Sequence, residues 1–257
     1  CALFPYDGTL TIEVDGEQHT IIFAAFCNGW FHHDGPPRGT VVSLDVTRTF
    51  DGNYLTGGRM YDASEVLYQA EWDLALADRF TPDSTADADV LFTGVVVTDF
   101  LPEELAHVEA FVRGGGGLVV VLENPEVPTA AAASLAALFA VEYDLDHQHS
   151  GDGSSAVEPI AWHPIWQGVA GSASSYAIHA PSAILSPPSS FIGVNDWDSS
   201  AAMAAIEYHQ GRVVFLTDVN AFNGTTTFDQ ITPEPGTPNA VVWENLFDWV
   251  AGGPESR

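Results

Sequence analysis

The chain has 257 residues, 46% of them hydrophobic, with 15 Phe, 7 Trp and 7 Tyr. That is enough apolar material for one or two packed domains and excludes wholesale disorder. Thirty-five acidic residues face 7 basic ones, all arginine, for a formal net charge of −28, a field that repels phosphate backbones and anionic lipid and so excludes nucleic-acid and membrane-surface roles.

Such a charge suits a saline or extracellular medium. In molar salt the Debye length falls to about 3 Å and self-repulsion is screened, whereas dilute buffer leaves it to destabilise the compact state. The melting temperature is therefore expected to rise with NaCl; a flat series would remove this reading. The expected location is extracellular or cell-surface, as a secreted protein or lipoprotein, with the cytoplasm of a halophile as the alternative. The two cysteines, Cys1 and Cys27, have three readings: one disulfide, a lipid anchor on Cys1 left by lipoprotein processing, or spectator thiols. Intact mass separates the three. No apolar run reaches the roughly 18 residues that a membrane-spanning helix needs.

Residues 9–14 alternate apolar and polar, Asp15-Gly16-Glu17 is turn chemistry, and residues 19–26 run apolar, which predicts a β-hairpin. Residues 27–39 form a Gly/Pro-rich loop, residues 40–46 a β-branched strand, and Asp62 to Trp72 a helix with Val66, Leu67 and Ala70 on one stripe. The clearest segment is 89–123. A strand over 89–97 ends in Thr98-Asp99. Pro102-Glu103-Glu104 opens a helix with the apolar stripe Leu105, Val108, Phe111 and Val112. Gly114 to Gly117 stop it, and Leu118 to Leu122 is a strand covered on both faces. A helix follows over 129–140, then a short strand over 141–145. A polar stretch over 146–175 holds Trp162-His163-Pro164-Ile165-Trp166. Short strands lie within 176–200. Two apolar runs, 201–208 and 212–217, make a hairpin around Gln210-Gly211, and an amphipathic helix spans 239–251. The organisation is an N-terminal β extension and loop (1–39), a single α/β domain (40–252) and a tail (253–257).

Three stretches, in order and spacing, resemble the class I glutamine amidotransferase-like superfamily. They are Asp89-Val90-Leu91-Phe92-Thr93-Gly94 leading to the Gly114–Gly117 run; His163-Pro164-Ile165-Trp166-Gln167-Gly168-Val169; and Gly211-Arg212-Val213-Val214-Phe215-Leu216-Thr217-Asp218, with Asn245 to Ala251 behind it. The likeness covers about residues 40–252. It implies an α/β fold of Rossmann-like or flavodoxin-like type, a mostly parallel sheet with helices on both faces. Catalytic members carry a Gly-x-Cys-x-Gly elbow and a downstream His-x-Glu. This chain has neither: Cys27 precedes the first parallel strand, and Glu123-Asn124-Pro125 follows Leu122. The resemblance therefore implies a non-catalytic member, and fold alone carries no activity.

In an open parallel sheet, ligands sit outside the carboxyl ends of the strands. Asp45 with Thr47, Asp99, Glu123 with Asn124, and Asp218 with Asn220 would share that rim, where their hard oxygens suit Ca²⁺ or another divalent cation; the bland reading is that they cap helices and solvate loops. His32, His33, His147 and His149 are weaker metal candidates lacking a third ligand at a known spacing. Trp30, Phe31, Tyr54, Tyr61, Trp162, Trp166 and Trp197 fall in or beside loops. Exposed, they would offer a protein- or carbohydrate-binding surface; buried, they would close the ends of the sheet. The expected function is a non-catalytic, exported binding or assembly module. A metal-assisted hydrolase of carbohydrate or amide substrates and a structural subunit of an extracellular assembly are the alternatives.

Overall fold

A computed structural model describes residues 6–14, 17–25, 36–50, 54–56, 58–122, 130–144, 154–179, 181–223 and 236–252. The chain separates into two compact units, Cys1–Pro36 and Pro37–Arg257. The first contains an antiparallel ribbon of β1 (Tyr6–Val14) and β2 (Glu17–Ala25), in a register that sets Val14 opposite Glu17. The predicted hairpin is present, with both strands starting earlier than the alternation suggested.

The second unit begins with β3 (Gly39–Leu44), α1 (Tyr61–Gln69), β4 (Trp72–Ala77), β5 (Val90–Phe92), α2 (Pro102–Arg113), β6 (Gly117–Val121), α3 (Ala130–Leu138) and β7 (Glu142–Asp144). It continues through β8 (Ser154–Pro159), a small ribbon of β9 (Gln167–Gly168) and β10 (Gly171–Ser172), then β11 (Tyr176–His179), β12 (Ala183–Ser186) and β13 (Phe191–Asn195). The hairpin β14 (Ala201–Tyr208) and β15 (Gly211–Leu216) and the helix α4 (Pro238–Val250) follow. The main sheet runs β11-β8-β13-β14-β15-β6-β5-β3-β4, with β12 bridging β14 to β7. The five strands β15, β6, β5, β3 and β4 are mutually parallel; the others pair antiparallel.

The parallel strands are apolar on both faces because helices cover both. Val41, Val90, Phe92, Val119, Val121, Val214 and Leu216 pack on one side with Val66 and Leu67 of α1 and Val242, Trp243, Leu246 and Phe247 of α4. Val42, Leu44, Leu91, Leu118, Val120, Val213 and Phe215 pack on the other with Val108 and Val112 of α2 and Leu135 and Ala136 of α3. Trp243 is the anchor of the first layer: it stacks on Phe222 at 4.4 Å, meets Phe92 and Phe247 edge-on, and donates its indole N–H to Ala63 of α1. The predicted α/β class, with helices on both faces of a central sheet, is the observed one.

Local chemistry explains the α2 unit. Pro102 opens the helix, Glu104 reaches back to accept the Leu101 N–H, and Gly115 adopts φ +113° after the last turn. Gly116 and Gly117 have a second role: a Cβ on Gly116 would lie 2.1 Å from the Phe111 ring, and one on Gly117 would lie 2.7 Å from the Val250 carbonyl. The glycines that end α2 also let β6 pass close under α2 and α4.

The structure corrects three sequence readings. The strand predicted over 89–97 ends at Phe92, because Gly94 turns at φ +58°. Val96 instead bridges Thr49, and Val97 N–H bonds to Arg48 O. The helix predicted through Trp72 ends at Gln69; Glu71 at φ +67° reverses the chain into β4. The polar stretch over 146–175, to which no strand was assigned, contains β8, which lies inside the sheet between β11 and β13.

Candidate functional site

The carboxyl edge of the parallel strands is where this architecture exposes backbone for a ligand. Its described residues are in part engaged with one another and with backbone. After β3, Asp45 accepts hydrogen bonds from Thr47 N and Oγ1 at 2.8 and 2.6 Å and so closes its own turn. After β5 comes Thr93, fully buried, whose Oγ1 accepts the Val121 N–H of β6. Asp99, predicted to end that strand, lies farther on, just before α2, with its side chain in solvent. Glu123 and Asn124 lie outside the described residues.

Arg48 joins these loops. It is 5% exposed and pairs with Glu104, 2% exposed, at 3.0 Å. Its guanidinium also donates to the carbonyls of Asp78, Thr98 and Asp99 and sits 5.1 Å from the centre of the Phe100 ring. Glu104 uses its other oxygen on the Leu101 N–H. One ion pair therefore ties the segments after β3, β4 and β5 to the start of α2. Sequence reasoning missed it: Glu104 read as a helix-dipole acid, and nothing in the sequence pairs it with an arginine 56 positions away.

Asp218, at the end of β15, is 2% exposed. Its two oxygens accept backbone N–H groups from His179 at 2.5 Å and Asn220 at 2.7 Å. Burial pushes its carboxyl up to about 7 against the pull of those donors, and burial, with Asp218 beside it, raises the neighbouring Tyr176 hydroxyl. Asn220 is half-buried and reaches the His179 carbonyl at 3.5 Å. The pair predicted as a rim site fastens β11 to the segment after β15.

The His163–Gly171 stretch is a clamp on α4. Asn245, 1% exposed, accepts from Ala170 N and donates to the carbonyls of Ile165 and Gly171. His163 meets the Trp249 ring edge-on at 4.8 Å, and its Nδ1 accepts the Ile165 N–H, which puts the ring proton on Nε2. Burial, with Arg212 nearby, lowers its pKa to about 4. Trp166, read as a loop aromatic, is buried and donates to Ile192 O; Trp162 and Trp197 are exposed, at 71% and 56%. Gly168 is required by contact, since a Cβ there would lie 2.5 Å from Asn245 Oδ1 and 2.7 Å from the Pro164 carbonyl. Gly168→Ala is expected to cost about 1–3 kcal/mol through overpacking, read as a lower urea midpoint at unchanged slope; an unchanged midpoint would show that the loop moves aside.

A cleft of about 250 Å³ lies between α1 and α4, lined by Val66, Gln69, Ala240, Val241, Arg38 and Glu244. Arg38 is already bonded there to Glu244 at 3.1 Å and Asp248 at 2.9 Å. Burial raises both carboxyls while Arg38 pulls them down. Among the described residues no three His, Cys, Asp or Glu side chains are placed to share a metal ion. His32, His33, His147, His149, Cys1, Cys27, Trp30 and Phe31 lie outside the described residues.

No family model matches this chain, and neither does any curated protein. Solved structures do. The mmIFT52 N-terminal domain superposes with TM-score 0.65 at 13% identity, covering 84% of this chain and 98% of its own. A cytoplasmic protein from Salmonella typhimurium gives 0.56 at 14%, covering 82% and 98%. A ThuA-like protein from Parabacteroides merdae gives 0.53 at 10%, covering 84% and 90%. At these identities the likeness establishes a shared α/β fold with a central, mostly parallel sheet.

Proposed function

We propose that this chain is a non-catalytic binding or assembly module on an amidotransferase-like scaffold, working in a saline or extracellular medium. The observation that carries the reading is that the buried charged groups of the carboxyl edge, among the described residues, are engaged with one another or with backbone. Where enzymes of open α/β architecture present free groups, Arg48 and Glu104 bind each other and neighbouring backbone, and Asp218 binds backbone N–H groups. The sequence after β6, Glu123-Asn124-Pro125, supplies no cysteine, serine or threonine. The medium follows from the charge of −28 and the absence of lysine. Exposed Trp162, with Ile160 and Val169 also exposed along the same stretch of chain, supplies contact surface for a protein or carbohydrate partner.

The test is turnover. Purified protein in molar NaCl, with and without Ca²⁺, Mg²⁺ or Zn²⁺, is expected to release no ammonia from glutamine and to cleave neither ester nor glycoside reporters above buffer. Turnover that disappears in Asp218→Asn would overturn the reading in favour of a hydrolase.

A further inference from the structure

The two ends of the main sheet are finished differently. At one end, the outward backbone groups of β11 are covered: Asn239 of α4 both accepts from Ala177 N and donates to Ala177 O, and Asp218 accepts from His179 N. At the other end, β4 pairs with β3 alone among the described residues. Ala77 O accepts from Asp45 N on the β3 side. Backbone groups alternate in a parallel ladder, so Trp72, Leu74 and Leu76 direct their N–H and C=O groups away from β3. Apart from the charge of Asp73, β4 has none of the devices that blunt an edge: no proline, no lysine and no glycine bulge in Trp-Asp-Leu-Ala-Leu-Ala. Leu76 is 45% exposed, and Asp73 and Ala75 are exposed on the opposite face.

We infer that the β4 edge pairs with a second copy of this chain, antiparallel about a two-fold axis through Ala75. The inference rests on the binding-or-assembly reading and names its partner. Self-complementarity carries it. With the axis at Ala75, Leu74 stands opposite the partner subunit's Leu76, both with backbone groups pointing into the gap. Each exposed leucine then covers a partly buried one. The same axis brings Glu71 toward the partner subunit's Arg79, once on each side of the axis. Glu71 and Arg79 are exposed, and Arg79 forms no ion pair among the described residues. Opposite charges at both ends of the Leu74–Leu76 stretch fix the register that a bare edge leaves open. The charge of −28 on each copy opposes the approach, so pairing strengthens as salt screens it.

Light scattering after size exclusion, from dilute buffer to molar NaCl, tests this. The wild-type chain is expected at twice 27.5 kDa in high salt, with the monomer gaining as salt falls. Leu76→Pro removes an outward N–H and leaves the β3 ladder intact, so it is expected to give the monomer mass with an unchanged circular dichroism spectrum. Leu76→Lys provides the same readout if the proline variant does not fold. At the lowest salt at which wild type pairs, Arg79→Glu is expected to separate the copies and Arg79→Glu with Glu71→Arg to restore them. A wild-type mass of 27.5 kDa at every salt, or a dimer that both Leu76 variants leave intact, overturns the inference. Neither result bears on catalysis, which the turnover assay decides separately.

Discussion

Replacing Arg48 by Met is expected to destabilise the fold by about 3–5 kcal/mol, because it strands the Glu104 carboxylate in a buried site. A solvent-exposed pair would cost no more than about 1 kcal/mol; exposures of 5% and 2% place this pair in the buried class. The lost bonds to the Asp78, Thr98 and Asp99 carbonyls and the lost contact with Phe100 act in the same direction. Arg48→Lys is expected to recover little, since one ammonium cannot reproduce a planar fork that reaches a carboxylate and several carbonyls together. Urea unfolding in constant high salt measures each variant. The double change Arg48→Met with Glu104→Met is expected to cost less than the two single losses added, because no charge is then left unpaired. Strict additivity would show that Arg48 and Glu104 act independently.

Stability is expected to fall as pH rises from about 4 to about 7, with Asp218 as a principal cause. Its carboxyl titrates near 7 in the folded chain against an ordinary value of 3.8. Between those values the folded state holds a proton that the unfolded state has released, so raising the pH favours unfolding. At 1.36 kcal/mol per pH unit the whole displacement corresponds to roughly 4 kcal/mol, lost as pH climbs through that window and constant above it. Carboxylates across the chain also repel one another more as pH rises, so the informative quantity is the difference from Asp218→Asn. The variant is neutral throughout and is expected to show a flatter profile from pH 4 to 7. It is also expected to be less stable at low pH by about 1–3 kcal/mol, because one of the N–H groups of His179 and Asn220 then faces an amide NH₂. Parallel profiles for the two proteins would remove Asp218 as the source.

Much of the parallel half was legible in the chain. Val119, Val120 and Val121 form a continuous apolar run because both faces of β6 are covered, and Pro102, Glu104 and Gly115 mark the ends of α2 by local chemistry. The strands that were missed obey other causes. After Trp72, β4 is made of Ala, Leu and Asp, with little intrinsic strand preference, and forms because β3 and α1 hold it. β8 is short and polar and is positioned by β11 and β13.

The site was less legible than the fold. Asp45 and Asp218 were singled out as candidate rim ligands by their place at strand ends, and each holds neighbouring backbone. A carboxylate free to bind and one already satisfied have the same letter in the sequence. For the buried carboxylates, what separates them is whether a donor distant in the chain arrives within hydrogen-bonding distance. For Asp218 that donor is His179, 39 positions away, and for Glu104 the partner is Arg48, 56 away.

The sequence by itself determined the charge of −28, the absence of lysine, the order of the α/β elements around β5, α2 and β6, and the absence of cysteine, serine or threonine at 123–125. These are properties of composition and of neighbours a few residues apart, where propensity, capping and periodicity act. Tertiary structure alone decided that Arg48, Glu104 and Asp218 bind one another or backbone at the carboxyl edge, that Asn239 and Asp218 cover the outer edge of β11, and that β4 pairs with β3 alone among the described residues. Each of these depends on which strand lies next to which, and that is set by burying both faces of the sheet at once.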